Sequence, residues 1–175
     1  MEYQSNRIAT KDLTTLSKII ILTAGIILGC IIIRIFFILM TIKSDSMQPT
    51  LKAGNKIVIS KMSDCKKGDI IALESPTERG NMLILRIIAS EYDTVEIRNK
   101  EVFINDIRLD IIADSTRDKN IIYPMKFCYR DNMPPLQLDR NEYFVLGDNF
   151  DKAYDSRTFG KIQKDTIIGK IIYKR

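Results

Sequence analysis

The chain has 175 residues, 45% of them hydrophobic and 28% charged, a balance that fits one anchored globular domain and excludes a disordered or fibrous chain. Its 27 lysines and arginines against 22 acidic residues leave a charge of +5, scattered rather than gathered into a block, so no nucleic acid is expected as a partner and most of the charge reads as solvated surface with some attraction to anionic membrane lipid. There is no histidine, and Cys30, Cys65 and Cys128 show no Cys-x-x-Cys spacing, which removes the usual zinc ligand sets and leaves no metal or cofactor to expect.

In chain order, residues 1–18 form a short arm in which Arg7, Lys11 and Lys18 outweigh Glu2 and Asp12. An apolar run follows over 19–42, broken by one charge at Arg34. As a helix the whole run would span about 36 Å, whereas 19–33 alone covers about 22 Å, so Lys18 and Arg34 are expected to snorkel to opposite interfaces, with Leu13 and Leu16 extending the buried length. The pattern predicts a transmembrane signal anchor over 19–34 and an extended segment over 35–42, where aromatic and β-branched residues dominate. The positive-inside rule puts the arm in the cytoplasm and residues 35–175 outside, as a single-pass protein of the cell membrane. No small-x-small cleavage pattern precedes the soluble part, so the anchor is expected to stay uncleaved. Cys30 is sequestered in the run, which leaves Cys65 and Cys128 as a candidate disulfide pair in an oxidising exterior.

After the anchor the pattern turns to strands. Residues 56–60 alternate, 69–73 follow Gly68, and 82–89 form a continuous apolar run. Residues 94–97 and 102–104 flank Arg98-Asn99-Lys100-Glu101 as a hairpin, 143–146 lead into the turn Gly147-Asp148-Asn149, and 166–173 supply a last strand. No amphipathic helix and no repeat is visible, so a mostly antiparallel β domain is predicted. Residues 111–138, which mix charges with Pro124, Pro134 and Pro135, read as a long insertion or rim loop.

Directly after the apolar run stands Ser44-Asp45-Ser46-Met47-Gln48-Pro49-Thr50-Leu51, with a serine fit to act as a nucleophile. It is followed by Gly68-Asp69-Ile70-Ile71, by Leu85-Arg86-Ile87-Ile88-Ala89 with Phe103-Ile104-Asn105, and by Tyr143-Phe144-Val145-Leu146-Gly147-Asp148-Asn149 ending in Asp155-Ser156-Arg157. In order and spacing these segments resemble the bacterial type I signal peptidases, membrane-bound serine endopeptidases that remove leader peptides. The resemblance covers nearly the whole chain and implies the β fold of that family. It implies Ser46 as the nucleophile position, its backbone amide and the Ser44 hydroxyl as the oxyanion hole, and Met47 and Pro49 as turn-shaping residues. Gly147, Asp148, Asn149, Asp155, Ser156 and Arg157, with Arg86 on the preceding strand, are then scaffold. An oxyanion hole works by aiming donors at developing charge, and losing one donor slows such reactions roughly 100- to 1000-fold.

The chain departs from the family at three positions. Asp45 replaces a glycine between the serines, which puts negative charge beside an anion-stabilising site unless the side chain turns outward. Leu85 stands where the general-base lysine is expected, and Ala153 where a serine would orient that lysine. A serine hydroxyl is a poor nucleophile until a base takes its proton, and leucine cannot. Lys43, Lys61 and Lys152 are the other lysines near matched segments, and each reads first as surface charge. Two functions follow. One is a non-catalytic relative that binds exported preproteins or pilin subunits beside the membrane, similar to the signal-peptidase-like assembly factors encoded with sortase-built pili in Gram-positive bacteria, with a sortase as a further partner. The other is a divergent peptidase that uses Ser46 with an unconventional base.

Overall fold

The computed structural model describes residues 2–110, 122–126 and 129–175, with side chains from residue 16 onward. The chain divides into two units, the first ending at Phe37 and the second running from Ile38 to Arg175.

The first unit is helix α1, Glu2–Phe36. Its Leu16–Phe36 stretch is long and apolar enough to cross a membrane, about 32 Å at 1.5 Å per residue. The helix passes Arg34 by two residues before strand β1, Phe37–Thr41, begins. The expected extended segment from residue 35 therefore starts later, because strand preference in Ile35 and Phe36 is weak beside the gain from adding residues to an existing helix. The arm, too, is helical from Glu2.

The second unit holds two antiparallel sheets. The larger is built from β1, β2 (Lys56–Ser60), β3 (Ile70–Glu74), β4 (Met82–Ala89), β9 (Glu142–Leu146), β10 (Ile162–Gln163) and β11 (Ile167–Lys174), in the order β1-β2-β11-β3-β4-β9-β10. The smaller has the order β7-β6-β5-β8, from β5 (Thr94–Arg98), β6 (Glu101–Ile104), β7 (Ile107–Arg108) and β8 (Met133–Gln137). The β5–β6 hairpin turns through Asn99 and Lys100, both at positive φ (50° and 69°), as a two-residue loop of the tight mirror-image kind requires.

Strand β8 corrects the expectation of a rim loop over 111–138. Pro134 and Pro135 sit within it, exposed, on a sheet-edge strand whose register with β5 shifts between Val95 and Ile97. An edge position with an irregular ladder is where proline's missing N–H does least harm. Residues 111–121, 127 and 128 lie outside the described residues, and the Cys65–Cys128 pairing lies there with them. Cys65 is a free thiol whose Sγ is 3.7 Å from the Ser63 carbonyl oxygen.

Three apolar clusters position the site. Ile88, Val95, Ile97, Met133, Phe144 and Leu146 join the two sheets. Ile42, Met47, Leu51, Ile57, Ile59 and Ile84 bind the loop after β1 to the larger sheet. On the other face of β4, Leu85 packs with Ile71, Leu73, Ile87, Val145 and Ile162.

Candidate active site

The loop between β1 and β2 carries Ser44, Asp45 and Ser46. Burying Met47 and Leu51 almost completely fixes it, and the Leu51 amide donates to the Met47 carbonyl at 2.8 Å. Pro49 follows a cis peptide bond and is exposed. Ser46 is half-buried, and its Oγ makes no hydrogen bond among the described residues. Its backbone amide donates to Ser44 Oγ at 3.0 Å, so the two expected oxyanion donors lie together and the amide is occupied by the hydroxyl oxygen.

The turn after β9 holds this loop from behind. The Asn149 amide donates to the Ser46 carbonyl at 2.9 Å. A Cβ on Gly147 would lie 2.6 Å from that carbonyl oxygen and 2.3 Å from the Ala153 Cβ, closer than real atoms approach, so only glycine lets the Ser46 backbone and Ala153 come this near. Ala153 in turn bonds through its amide to the Asn149 carbonyl at 3.0 Å.

Leu85 reaches the same place from β4. Arg86 pairs with Leu146, and continuing that antiparallel register sets Leu85 across from Gly147. Leu85 shares a cluster with Val145, and side chains two residues apart on a strand share a face, so the register sets Leu85 on the face where Gly147 meets Ser46 and Ala153. Leu85 is 1% exposed. At the two positions where the sequence led one to expect a proton acceptor and its orienter stand an isobutyl and a methyl group.

Asp45 does turn outward. Its Oδ1 accepts from Gln48 Nε2 at 2.6 Å, and its Oδ2 lies 3.4 Å from Lys152 Nζ. Lys152 is 62% exposed and engaged there, not desolvated beside Ser46, while Lys43 and Lys61 are both exposed.

Two ion pairs brace the turn. Arg86 grips Asp148 through two bonds of 2.8 and 2.6 Å and reaches the Gly68 carbonyl at 2.7 Å, and the Asp148 hydrogen bonds raise its pKa. Asp155, fully buried, accepts from the Gly147 amide at 3.1 Å and from Arg157 Nε and Nη2 at 2.9 and 2.8 Å. Arg157 also donates to the Phe150 carbonyl at 2.8 Å and lies 4.3 Å over the Phe150 ring. Asp155 caps the four-residue helix α2, Ser156–Phe159, and Ser156 Oγ accepts from the Val145 amide at 3.0 Å. The sequence named Asp155 and Arg157 as scaffold, but not their Gly147 and Phe150 contacts, which involve backbone groups that no side-chain pattern reveals.

Beside Ser46 lies a cavity of about 440 Å³ lined by Met40, Ile42, Lys43, Met47, Leu83 and Ile84, among others. Its walls combine the end of β1, the serine loop and β4. Among the described residues no group of histidine, cysteine and acidic side chains could hold a metal ion.

A family model described as signal peptidase, peptidase S26, matches residues 13–174. The chain is similar to thylakoidal processing peptidase 1, chloroplastic, of Arabidopsis thaliana, 29% identical over 148 residues, which is 77% of this chain and 40% of that protein. It is similar to signal peptidase IB of Staphylococcus aureus, 28% identical over 145 residues, 77% of this chain and 75% of that protein. The chain thus spans less than half of the plant relative and three quarters of the bacterial one. A crystal structure of a signal peptidase I from Enterococcus faecalis V583 superposes with a TM-score of 0.49 at 30% identity, covering 62% of this chain and 97% of the other. Because the family match takes in the serine loop, both sheets and the turn after β9, the chain belongs to the signal peptidase family, peptidase S26.

Proposed function

We propose that this chain is a membrane-anchored family member that holds exported polypeptides in the groove beside Ser46 without hydrolysing them. The observation that carries this reading is the apolar filling of the base position: Leu85 is 1% exposed in a hydrocarbon cluster and Ala153 abuts Gly147. Hydrolysis requires an acceptor for the Ser46 proton, and general-base assistance contributes roughly 100- to 10,000-fold. Neither side chain accepts one, the chain has no histidine, and Lys152 is exposed beside Asp45.

Binding needs less. β1 lies at the edge of the larger sheet with one side unpaired, and an extended segment can add there by main-chain hydrogen bonds while alternate side chains enter the cavity. In this reading Ser46 and Ser44 contribute polar contacts to a held peptide, Met47 and Pro49 shape the loop, and Arg86, Gly147, Asp148, Asn149, Asp155, Ser156 and Arg157 keep it in place. The anchor crosses once, with the arm of residues 1–18 in the cytoplasm and the β domain outside. Exported preproteins or pilin subunits are the clients, and the resemblance to pilus assembly factors adds a sortase as partner.

The test is to incubate detergent-solubilised protein with a preprotein carrying a small-x-small site, beside the Ser46→Ala variant. The expected outcome is binding without cleavage in both, with cleavage first emerging in Leu85→Lys/Ala153→Ser. Cleavage by the parent that vanishes in Ser46→Ala overturns the reading in favour of a working peptidase, a second reading that the unengaged Ser46 Oγ keeps open.

A further inference from the structure

We infer that Lys43 selects an acidic side chain in the polypeptide that occupies the Ser46 groove. The inference rests on the holding function above and names the chemistry of what is held. Met40, Ile42, Met47, Met82, Leu83 and Ile84 supply hydrocarbon to the groove, Thr41, Ser44, Ser46 and Asn81 supply uncharged polar groups, and Lys43 supplies the one charge. Lys43 is exposed and has no ion pair among the described residues. The acids that flank the groove are otherwise engaged: Asp45 with Gln48 and Lys152, and Glu78 with the Asn81 side-chain amide at 3.0 Å. A lysine lining a largely apolar groove, with no ion pair among the described residues, is complemented by a carboxylate arriving with the ligand. A basic side chain in the same place meets like charge, so one lysine both attracts and excludes. Lys43 also adjoins Ser44, so the selected side chain is close in register to the residue facing Ser46, and apolar residues at alternate positions fill the remaining hydrocarbon.

The experiment uses the full chain in neutral detergent micelles and short fluorescent peptides of Ala, Leu and Val carrying a single Glu at successive positions, each beside its Gln and Lys counterparts. One Glu position is expected to bind about threefold more tightly than Gln, the range of an exposed ion pair, and to lose that advantage in high salt. Lys43→Gln should erase the preference of Glu over Gln, and Lys43→Glu should transfer it to the Lys peptide. Equal Kd for Glu and Gln at every position, or a Glu preference that survives Lys43→Glu, overturns the inference and leaves the holding function standing. Failure of every peptide to bind overturns both. Cleavage of the peptides overturns the holding function alone, and the ratio of kcat/KM for Glu over Gln then reads the selectivity of Lys43.

Discussion

Removing the Asp155 carboxylate strikes the brace under the nucleophile loop, and its effect follows from what is left behind. Asp155→Ala takes one partner from an ion pair whose side chains are 0% and 3% exposed, and strands the Arg157 guanidinium in the interior with the Phe150 and Arg130 carbonyls and the Phe150 ring but no counter-charge. Breaking a buried pair this way costs about 3–5 kcal/mol. That is a fifth or more of the roughly 5–15 kcal/mol that holds an ordinary domain together. The Gly147 amide loses its acceptor as well, so the loss concentrates where Asn149 carries Ser46. The chain has no tryptophan and seven tyrosines, so urea unfolding in micelles is followed by tyrosine fluorescence or near-ultraviolet dichroism. With a slope of about 2 kcal/mol per molar urea, the midpoint should fall by about 1.5–2.5 M. Replacing both charges in Asp155→Ala/Arg157→Met should recover part of this, because no unpaired charge remains. A midpoint shift below about 0.5 M, or strict additivity of the two single substitutions, would refute the account.

Gly147→Ala should destabilise the domain by about 1–3 kcal/mol through overpacking against Ala153 and Ser46, with partial recovery in Gly147→Ala/Ala153→Gly, measured by the same urea titration. Asp93 is held below its ordinary value of 3.8: burial alone pushes it up, but the Ser90 amide, Lys67 and Asn105 together outweigh that. Its contribution to stability is therefore present above that value and lost as pH falls from there through the folded-state value, so Asp93→Asn should flatten the acid limb of a stability-against-pH curve. Burial, with Asp69 nearby, raises the Cys65 thiol, and in a Cys30→Ser/Cys128→Ser background its alkylation by iodoacetamide at mildly alkaline pH should be slower than that of the urea-unfolded chain. Lys152→Ala should change stability by less than about 1 kcal/mol, since its bridge to Asp45 is exposed.

The strands that alternate or run apolar without interruption were readable in the sequence, because burial on one or both faces writes its period into the residues. β2 and β4 match the expected 56–60 and 82–89, and the expected β5–β6 hairpin forms with each strand one residue longer toward the turn than the sequence reading placed it. β8 was hidden by its two prolines, which argue against a strand unless one knows that it lies at an edge. β10 and β7 are two residues each, too short to show any period. For the candidate site, the motif residues could be named in sequence but not their approach distances. That Gly147 lets Ser46 and Ala153 close on one another, that Asp45 faces Lys152, and that Lys43 lines a groove all depend on segments far apart in the chain meeting in space.

The order of the larger sheet makes its last strand the join between two parts. β11 comes last among its strands in the chain yet lies between β2 and β3, exchanging backbone hydrogen bonds with both. Gly169 makes this possible, for a side chain there would strike the Ser60 carbonyl at 2.4 Å. The β1–β2 pair, with its serine loop, and the β3–β4–β9 ribbon therefore belong to one sheet only through β11. β11 is thus the keystone between them, although the groove beside Ser46 is lined by β1, the serine loop and β4 and by no residue of β11.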